Sequence, residues 1–264
     1  MYIFRSFIGT LLKDNGDGEL SVGDKYEYEV KPGEKQKFYV LKVEDDKVNL
    51  IMDRNICEDG TTDYREDNNY CLYAWHMSEH NDNTYGPDTS MEMLYNATKE
   101  WINVPNMDLS GDNAYIDEGY NGELTHGYGK IETSKIGIKI TKADGTESRM
   151  IEYNLGKMLK TRLPKYSEVS ILECSENEGS CPAYLLDNLR YHNCNGNKYA
   201  LNSANISGTA KENIAGYWLL ASYFNYNYGA YYVAYHGKIT YVNTRNVNSS
   251  GIRPVITVPI MDLS

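Results

Sequence analysis

The hydrophobic positions of this chain fall mainly into short strand-like runs, broken by two stretches at helical spacing. Lys37-Phe-Tyr-Val-Leu-Lys-Val43 and Val48-Asn-Leu-Ile-Met52 flank the polar turn Glu44-Asp-Asp-Lys47, which predicts an early antiparallel hairpin. Ile136-Gly-Ile-Lys-Ile-Thr141 and Ser148-Arg-Met-Ile-Glu-Tyr153 flank Ala143-Asp-Gly-Thr146 and predict a second hairpin about an Asp-Gly turn. Thr89-Ser-Met-Glu92 has the form of a capping box, with the Thr89 side chain bonding an exposed amide and Glu92 reaching back. Leu94, Ala97 and Trp101 follow at helical spacing and Pro105 lies beyond, so a helix is predicted over 90–102. A second helix is predicted to begin near Pro164 and carry Val169 and Leu172, and Tyr184, Leu185 and Leu189 suggest a further short one. Two main helices among short antiparallel strands and long polar loops (57–88, 103–130) give an α+β fold class.

The length of 264 residues, the 41% hydrophobic content and the 22 glycines suit one folded, loop-rich domain over 1–264, with 1–34 as an N-terminal extension. A net charge of -11 with no basic stripe speaks against nucleic acid as a partner. The opening apolar stretch, Met1 to Leu12, is too short to span a bilayer and is interrupted by Arg5. No direct membrane insertion is expected from it, and an amphipathic strand or helix is favoured over the stub of a leader.

Candidate metal chemistry is thin. Lys13-Asp-Asn-Gly-Asp-Gly-Glu-Leu-Ser-Val-Gly-Asp24 imitates a calcium loop with Asn15, Asp17 and Gly18, but Lys13 occupies the first ligand position and would repel a cation. It reads as a Gly-rich turn. His76 and His80 are four apart in a loop-like segment, and the other histidines, at 126, 192 and 236, are scattered. No CxxC, Ser/His/Asp arrangement or H-E-x-x-H occurs, so no metal, cofactor or catalytic residue is expected. Cys174 and Cys181 bracket a short polar loop and suit a disulfide-stapled turn; Cys57 and Cys71 flank another, which leaves Cys194 over. Such staples point to an oxidising, extracytoplasmic setting.

The stretch 216–258 changes the picture. Eight of the 25 tyrosines lie between Tyr217 and Tyr241, and the stretch has no Asp or Glu; its charged residues are Lys238, Arg245 and Arg253. Tyr, Asn, Ser and Gly are what a binding surface uses for rigid contact area and adaptable hydrogen bonds, although Tyr also favours strands for packing reasons alone. Tyr223, Phe224, Asn225, Tyr226, Asn227 and Tyr228 run without alternation, so they cannot all point inward from a strand. Together with Tyr235, His236, Lys238, Tyr241 and Asn243 they are the candidate ligand contacts. His236-Gly237 suits a hairpin turn. Trp218, Leu219 and Leu220 are expected in the core, and Val255, Ile256 and Val258 in a buried terminal strand. Gly251 and Arg253 are candidate structural residues, with Arg253 hydrogen-bonded and at least half-buried, because an unpaired buried charge is costly.

Arg162-Leu-Pro-Lys-Tyr-Ser-Glu168 resembles the R-L-P-x-x-x-E stretch that opens the second helix in the formylglycine-generating-enzyme branch of the C-type lectin-like fold. Gly216-Tyr-Trp-Leu-Leu-Ala-Ser222 with Gly251-Ile-Arg-Pro-Val255 resembles the tail of bacterial and phage surface domains in that branch, including the variable proteins of diversity-generating retroelements. Lys165 stands where the family often has Thr or Ser, so that helix lacks a side-chain cap.

The resemblance implies a rigid lectin-like scaffold that displays substitutable residues within 216–258, on a cell surface, in the extracellular space or on a phage particle. The expected function is an adhesin or receptor-binding display protein whose partner is first a protein and second a glycan. The alternatives are a carbohydrate-binding lectin-like domain or a static structural domain of a pilus or phage tail. Formylglycine generation uses a reactive cysteine pair late in the chain, and no cysteine follows Cys194, so an enzyme is not expected.

Overall fold

The computed structural model describes residues 8–14, 18–57, 59–60, 88–107, 131–133, 138–141, 147–151, 159–186, 218–224, 229–234, 237–243 and 251–263. Strand β2 (Lys25–Lys31) shows how its sequence makes it: Tyr26, Tyr28 and Val30 are buried, while the Lys and Glu between them stay at the rim. A period of two puts every second side chain on the same face of a sheet. With β1 (Gly9–Lys13) it pairs antiparallel. The segment 1–34, expected as an extension, thus supplies two strands of the main sheet.

The first predicted hairpin is present as β3 (Glu34–Val43) and β4 (Lys47–Met52), with Val43 opposite Val48. In β3 the run Phe38, Tyr39, Val40 and Leu41 is buried throughout, so both faces of the sheet are covered. Phe38 and Val40 join one hydrophobic cluster with Leu50, Met52, Ile256 and Val258, and Tyr39 and Leu41 join a second with Ile51 and Val255. The sheet lies between the two clusters.

Helix α1 (Asp88–Thr98) supplies Met91, Leu94 and Ala97 to the first cluster. It begins at Asp88, so Thr89 lies inside its first turn and not at the cap position expected for it. It also stops four residues short of Ile102. The Thr98 hydroxyl donates to Leu94 O at 2.6 Å and meets the Thr161 hydroxyl at 3.0 Å. The chain then turns through a Trp101 N–H bond to Thr98 O at 2.9 Å. Trp101 is spent on tertiary packing, its ring edge-on to Phe38 at 6.3 Å.

Strands β5 (Ile131–Thr133), β6 (Ile138–Thr141) and β7 (Glu147–Ile151) form a three-stranded antiparallel sheet with Ile138 opposite Ile151. The second hairpin is there, while its Asp144-Gly145 turn lies outside the described residues. Helix α2 (Tyr166–Ser170) starts just after Pro164 and buries Val169; Leu172 falls in the turn beyond it. A 3-10 turn over Ala183–Leu186 buries Leu185, and Leu189 is outside the described residues.

A second three-stranded sheet is built from β8 (Trp218–Phe224), β9 (Gly229–Val233) and β10 (Ile239–Asn243), with β9 central. The last strand, β11 (Val255–Pro259), returns to pair antiparallel with β4, completing the order β1-β2-β3-β4-β11. Val255, Ile256 and Val258 are fully buried in it, as their pattern predicts. Ile8 N–H bonds Asp262 O at 3.2 Å, so the two outer ends of the chain's sheet core meet. The described elements make a mixed α/β protein, two helices set among antiparallel strands. No helix among the described residues is long and apolar enough to cross a membrane.

Candidate ligand-binding site

The Tyr-rich segment is carried on a strand that belongs to the core. In β9, Ala230, Tyr231 and Val233 are buried and Tyr232 is half-buried. Ala230 and Tyr232 pack with the first cluster and Tyr231 and Val233 with the second, so the strand is held from both sides. Tyr231 also stacks obliquely on Tyr166 of α2, ring centroids 4.8 Å apart.

Strand β10 lies on β9 with Ile239 opposite Val233 and Tyr241 opposite Tyr231. Directly opposed residues of an antiparallel pair share a face. On that shared face Ile239 and Tyr231 are fully buried while Tyr241 is 51% exposed, so the sheet surface passes from core to solvent within one strand. Strand β8 pairs with β9 through Trp218 opposite Val233, Leu219 opposite Tyr232, Tyr223 opposite Ala230 and Phe224 opposite Gly229. Three residues of β8 face one of β9 between Leu219 and Tyr223, a bulge that bends the strand. Leu220, in the bulge, is fully buried.

The candidate contacts are therefore placed as follows. Tyr223, Phe224 and Asn243 sit at the strand ends around Gly229. Tyr241 is exposed on β10, and Lys238, half-buried, lies at its start, 3.8 Å from Glu178. Asn225, Tyr226, Asn227, Tyr228, Tyr235 and His236 lie outside the described residues. The flanks of the predicted hairpin turn are in place: Gly237 N–H bonds Ala234 O and Ala234 N–H bonds Lys238 O, both at 2.9 Å. Gly237 has φ +71°, the left-handed conformation that a three-residue hairpin loop requires at that position and that glycine adopts at no steric cost.

Cys174 and Cys181 form a disulfide, and the loop it closes grips this turn. Cys181 N–H bonds Gly237 O at 2.9 Å, Ile239 N–H bonds Ser175 O at 2.7 Å, and the Ser180 hydroxyl reaches Gly237 O at 3.3 Å. Cys57 is disulfide-bonded as well; Cys71 and Cys194 lie outside the described residues. So do Asn15 and Asp17 of the calcium-loop imitation and His76 and His80. Among the described residues no group of three or more His, Cys, Asp or Glu could hold a metal ion.

Two ionic centres fasten the framework beneath. Arg162 makes a two-pronged ion pair with Glu168, both nearly fully buried, with one prong at 2.6 Å and the other from Nη2 to Oε1. Glu168 also accepts from Lys165 N–H at 2.9 Å. The carboxylate thus reaches back to the N-cap amide just before α2, without a capping side chain at Lys165. Burial by itself raises the Glu168 carboxyl, but the Arg162 charge and the hydrogen bonds outweigh it and hold it below the usual carboxylate range. Arg162 exchanges backbone hydrogen bonds with Val255 at 2.8 and 3.1 Å, tying the α2 start to β11.

Arg253 is fully buried and donates to the carbonyls of Met52 and Leu185, joining the end of β4 to the 3-10 turn. Gly251 is buried against Asn55: a Cβ there would come within 2.3 Å of the Asn55 amide nitrogen. At Asp53, burial raises the carboxyl, and the hydrogen bonds from Arg54 at 2.7 Å and Lys25 at 2.9 Å, with their charges, bring it below its usual value.

Sequence reasoning did not find the clasp or the Arg162–Glu168 fork. The spacing of the cysteines was visible, but their partner turn lies more than fifty positions along the chain. Arg162 and Glu168 stood inside the quoted motif without an assigned role. No family model, curated protein or solved structure matches this chain.

Proposed function

We propose that the protein is a ligand-binding surface display protein in which a C-type lectin-like framework holds the Tyr/Asn-rich segment 216–258 toward a macromolecular partner, in the manner of the variable proteins of diversity-generating retroelements. The observation that carries the reading is the face shared by Tyr231 and Tyr241, buried on β9 and 51% exposed on β10. A phenol offered to solvent beside a fully packed one is a rigid aromatic anchor that loses little entropy on binding.

Several further features support it. The segment both leaves and rejoins framework: β9 is packed into both clusters, and β11 is paired with β4. Tyr241, 51% exposed between those anchors, can change its side chain without opening the core. The Cys174–Cys181 disulfide fits a surface or extracellular setting. A protein is the expected partner and a glycan the second.

Sequencing the flanking locus tests the reading. A reverse transcriptase gene beside a near-repeat of the segment encoding 216–258 is the expected finding. Its absence, together with one invariant segment across many isolates, would reduce the protein to a static domain.

A further inference from the structure

A cleft of about 370 Å³ opens where the ends of β3, β4 and β11 meet the start of α2, remote in sequence from most of the Tyr-rich segment. Its floor is made of two polar pairs that already satisfy one another. Asn49 on β4 stands opposite Thr257 on β11, and the Thr257 hydroxyl donates to the Asn49 side-chain oxygen at 2.6 Å. Beside them lies the Arg162–Glu168 fork. Buried polar groups that hold each other in place keep a site formed before any ligand arrives.

The walls differ from the floor. Met107 and Pro259 offer apolar surface, Ser167 a hydroxyl, and Lys42, Lys47 and Lys165 cationic side chains. Glu44, which lies 3.0 Å from Lys42, is the only lining carboxylate among the described residues besides Glu168. With Arg162 counted, the described lining carries four positive groups against two negative ones, in a chain of net charge -11. A concave cationic patch on an acidic protein concentrates anions locally against the overall field. A volume of about 370 Å³ lies at the low end of the range of small-molecule sites.

We infer that this cleft binds a small polyhydroxylated carboxylate of the size of a hexuronate. Lys47 and Lys165 take its carboxylate, Asn49 and Ser167 its hydroxyls, and Met107 and Pro259 the apolar face of its ring. The assignment does not depend on the display reading of the Tyr-rich segment.

The full chain titrated with D-glucuronate and followed by amide NMR tests it, with D-glucose and inorganic phosphate as parallel probes. Saturable shifts at Asn49, Ser167 and Thr257 are expected. Glucose and phosphate are expected to bind at least about tenfold more weakly than glucuronate. The Lys47→Glu variant is expected to lose at least about tenfold in affinity with an unchanged melting temperature; Lys165 is kept in place because its charge also acts on buried Glu168. Thr257→Val, which keeps the side chain's shape, should weaken binding through the loosened Asn49 and serves if the charge-reversed variant is unstable. An oligoglucuronide that binds more tightly than the monomer names a polymer end as the source, and equal binding names the free acid. Absence of saturable shifts, glucose or phosphate matching glucuronate, or undiminished binding by the folded variants would overturn the assignment.

Discussion

Cys181 donates its backbone N–H to the carbonyl of Gly237 at 2.9 Å, across 56 positions of sequence. With Ile239 N–H on Ser175 O it makes the disulfide loop a clasp on the β9–β10 turn. Gly237 takes the left-handed conformation at φ +71°, and the clasp ties it to the disulfide loop. Lys238 follows it directly, and Tyr241 lies further along β10.

Opening the clasp should therefore act locally. A Cys174→Ser/Cys181→Ser variant is expected to lose roughly 2–3 kcal/mol, from the short loop that the disulfide closes. Hydrogen exchange at Ile239 and Gly237 should accelerate far more than at Val40 or Leu50 in the main sheet. Equal acceleration in both regions would mean that the disulfide supports the whole fold and not the turn.

The Arg162–Glu168 fork gives a sharper prediction because one partner cannot be removed alone. Arg162→Ala leaves a nearly fully buried carboxylate without its counter-charge and should cost about 3–5 kcal/mol in denaturant unfolding. Replacing both residues with apolar ones of similar volume, Arg162→Met with Glu168→Leu, should cost much less than the sum of the single changes. Additive losses would show that the two side chains do not act as a unit.

Glu168 and a second buried carboxylate, Asp53, should make stability fall at acid pH. Glu168 and Asp53 both titrate lower in the folded protein than in the unfolded chain. The stability they contribute is present in full above the unfolded values of about 4 and is lost as pH falls through the folded values. Melting temperatures should fall steeply on acidification below about pH 4, and Glu168→Gln should flatten that fall while lowering stability at neutral pH. A parallel curve for the variant would remove Glu168 from the acid transition.

Gly251 has a packing role that its neighbours reveal. An added Cβ would lie 2.8 Å from Asn55 Cγ as well as 2.3 Å from its amide nitrogen, and Asn55 is itself buried. Gly251→Ala should cost about 1–3 kcal/mol. Combining it with Asn55→Ala should recover part of that loss, measured as a non-additive double-mutant cycle.

Among the described residues Trp101 is the largest side chain buried in the first cluster, 2% exposed. Trp101→Ala should cost about 3–5 kcal/mol. Because the residue lies beyond α1, the loss should come with little change in helical circular dichroism. A large fall in helical signal would mean that Trp101 supports the helix itself.

Much of the framework was legible in short-range pattern. The hairpin of β3 and β4, the strands β6 and β7, the buried terminal strand and the start of α2 beside Pro164 all follow from alternation and turn residues close together in the chain. The boundaries of α1 were not legible, because Trp101 keeps helical spacing while its ring is claimed by Phe38, a residue more than sixty positions earlier. β2 was overlooked although Tyr26, Tyr28 and Val30 alternate cleanly; the acidic and basic residues between them masked the strand as a polar extension.

At the candidate site the division falls in the same way. Composition alone made 216–258 an aromatic stretch without Asp or Glu in an acidic chain, since that requires nothing but counting residues. Which of its tyrosines are core and which face outward depended on register: β9 is buried because both clusters close on it, and Tyr241 is exposed because it lies on the adjoining strand beyond them. The clasp and the polar cleft likewise join residues far apart along the chain, and the Arg162–Glu168 fork, six positions apart in sequence, is tied by the Arg162 backbone to distant Val255. Sequence determines side-chain chemistry and local periodicity, but burial and charge pairing are properties of the neighbours that folding brings together.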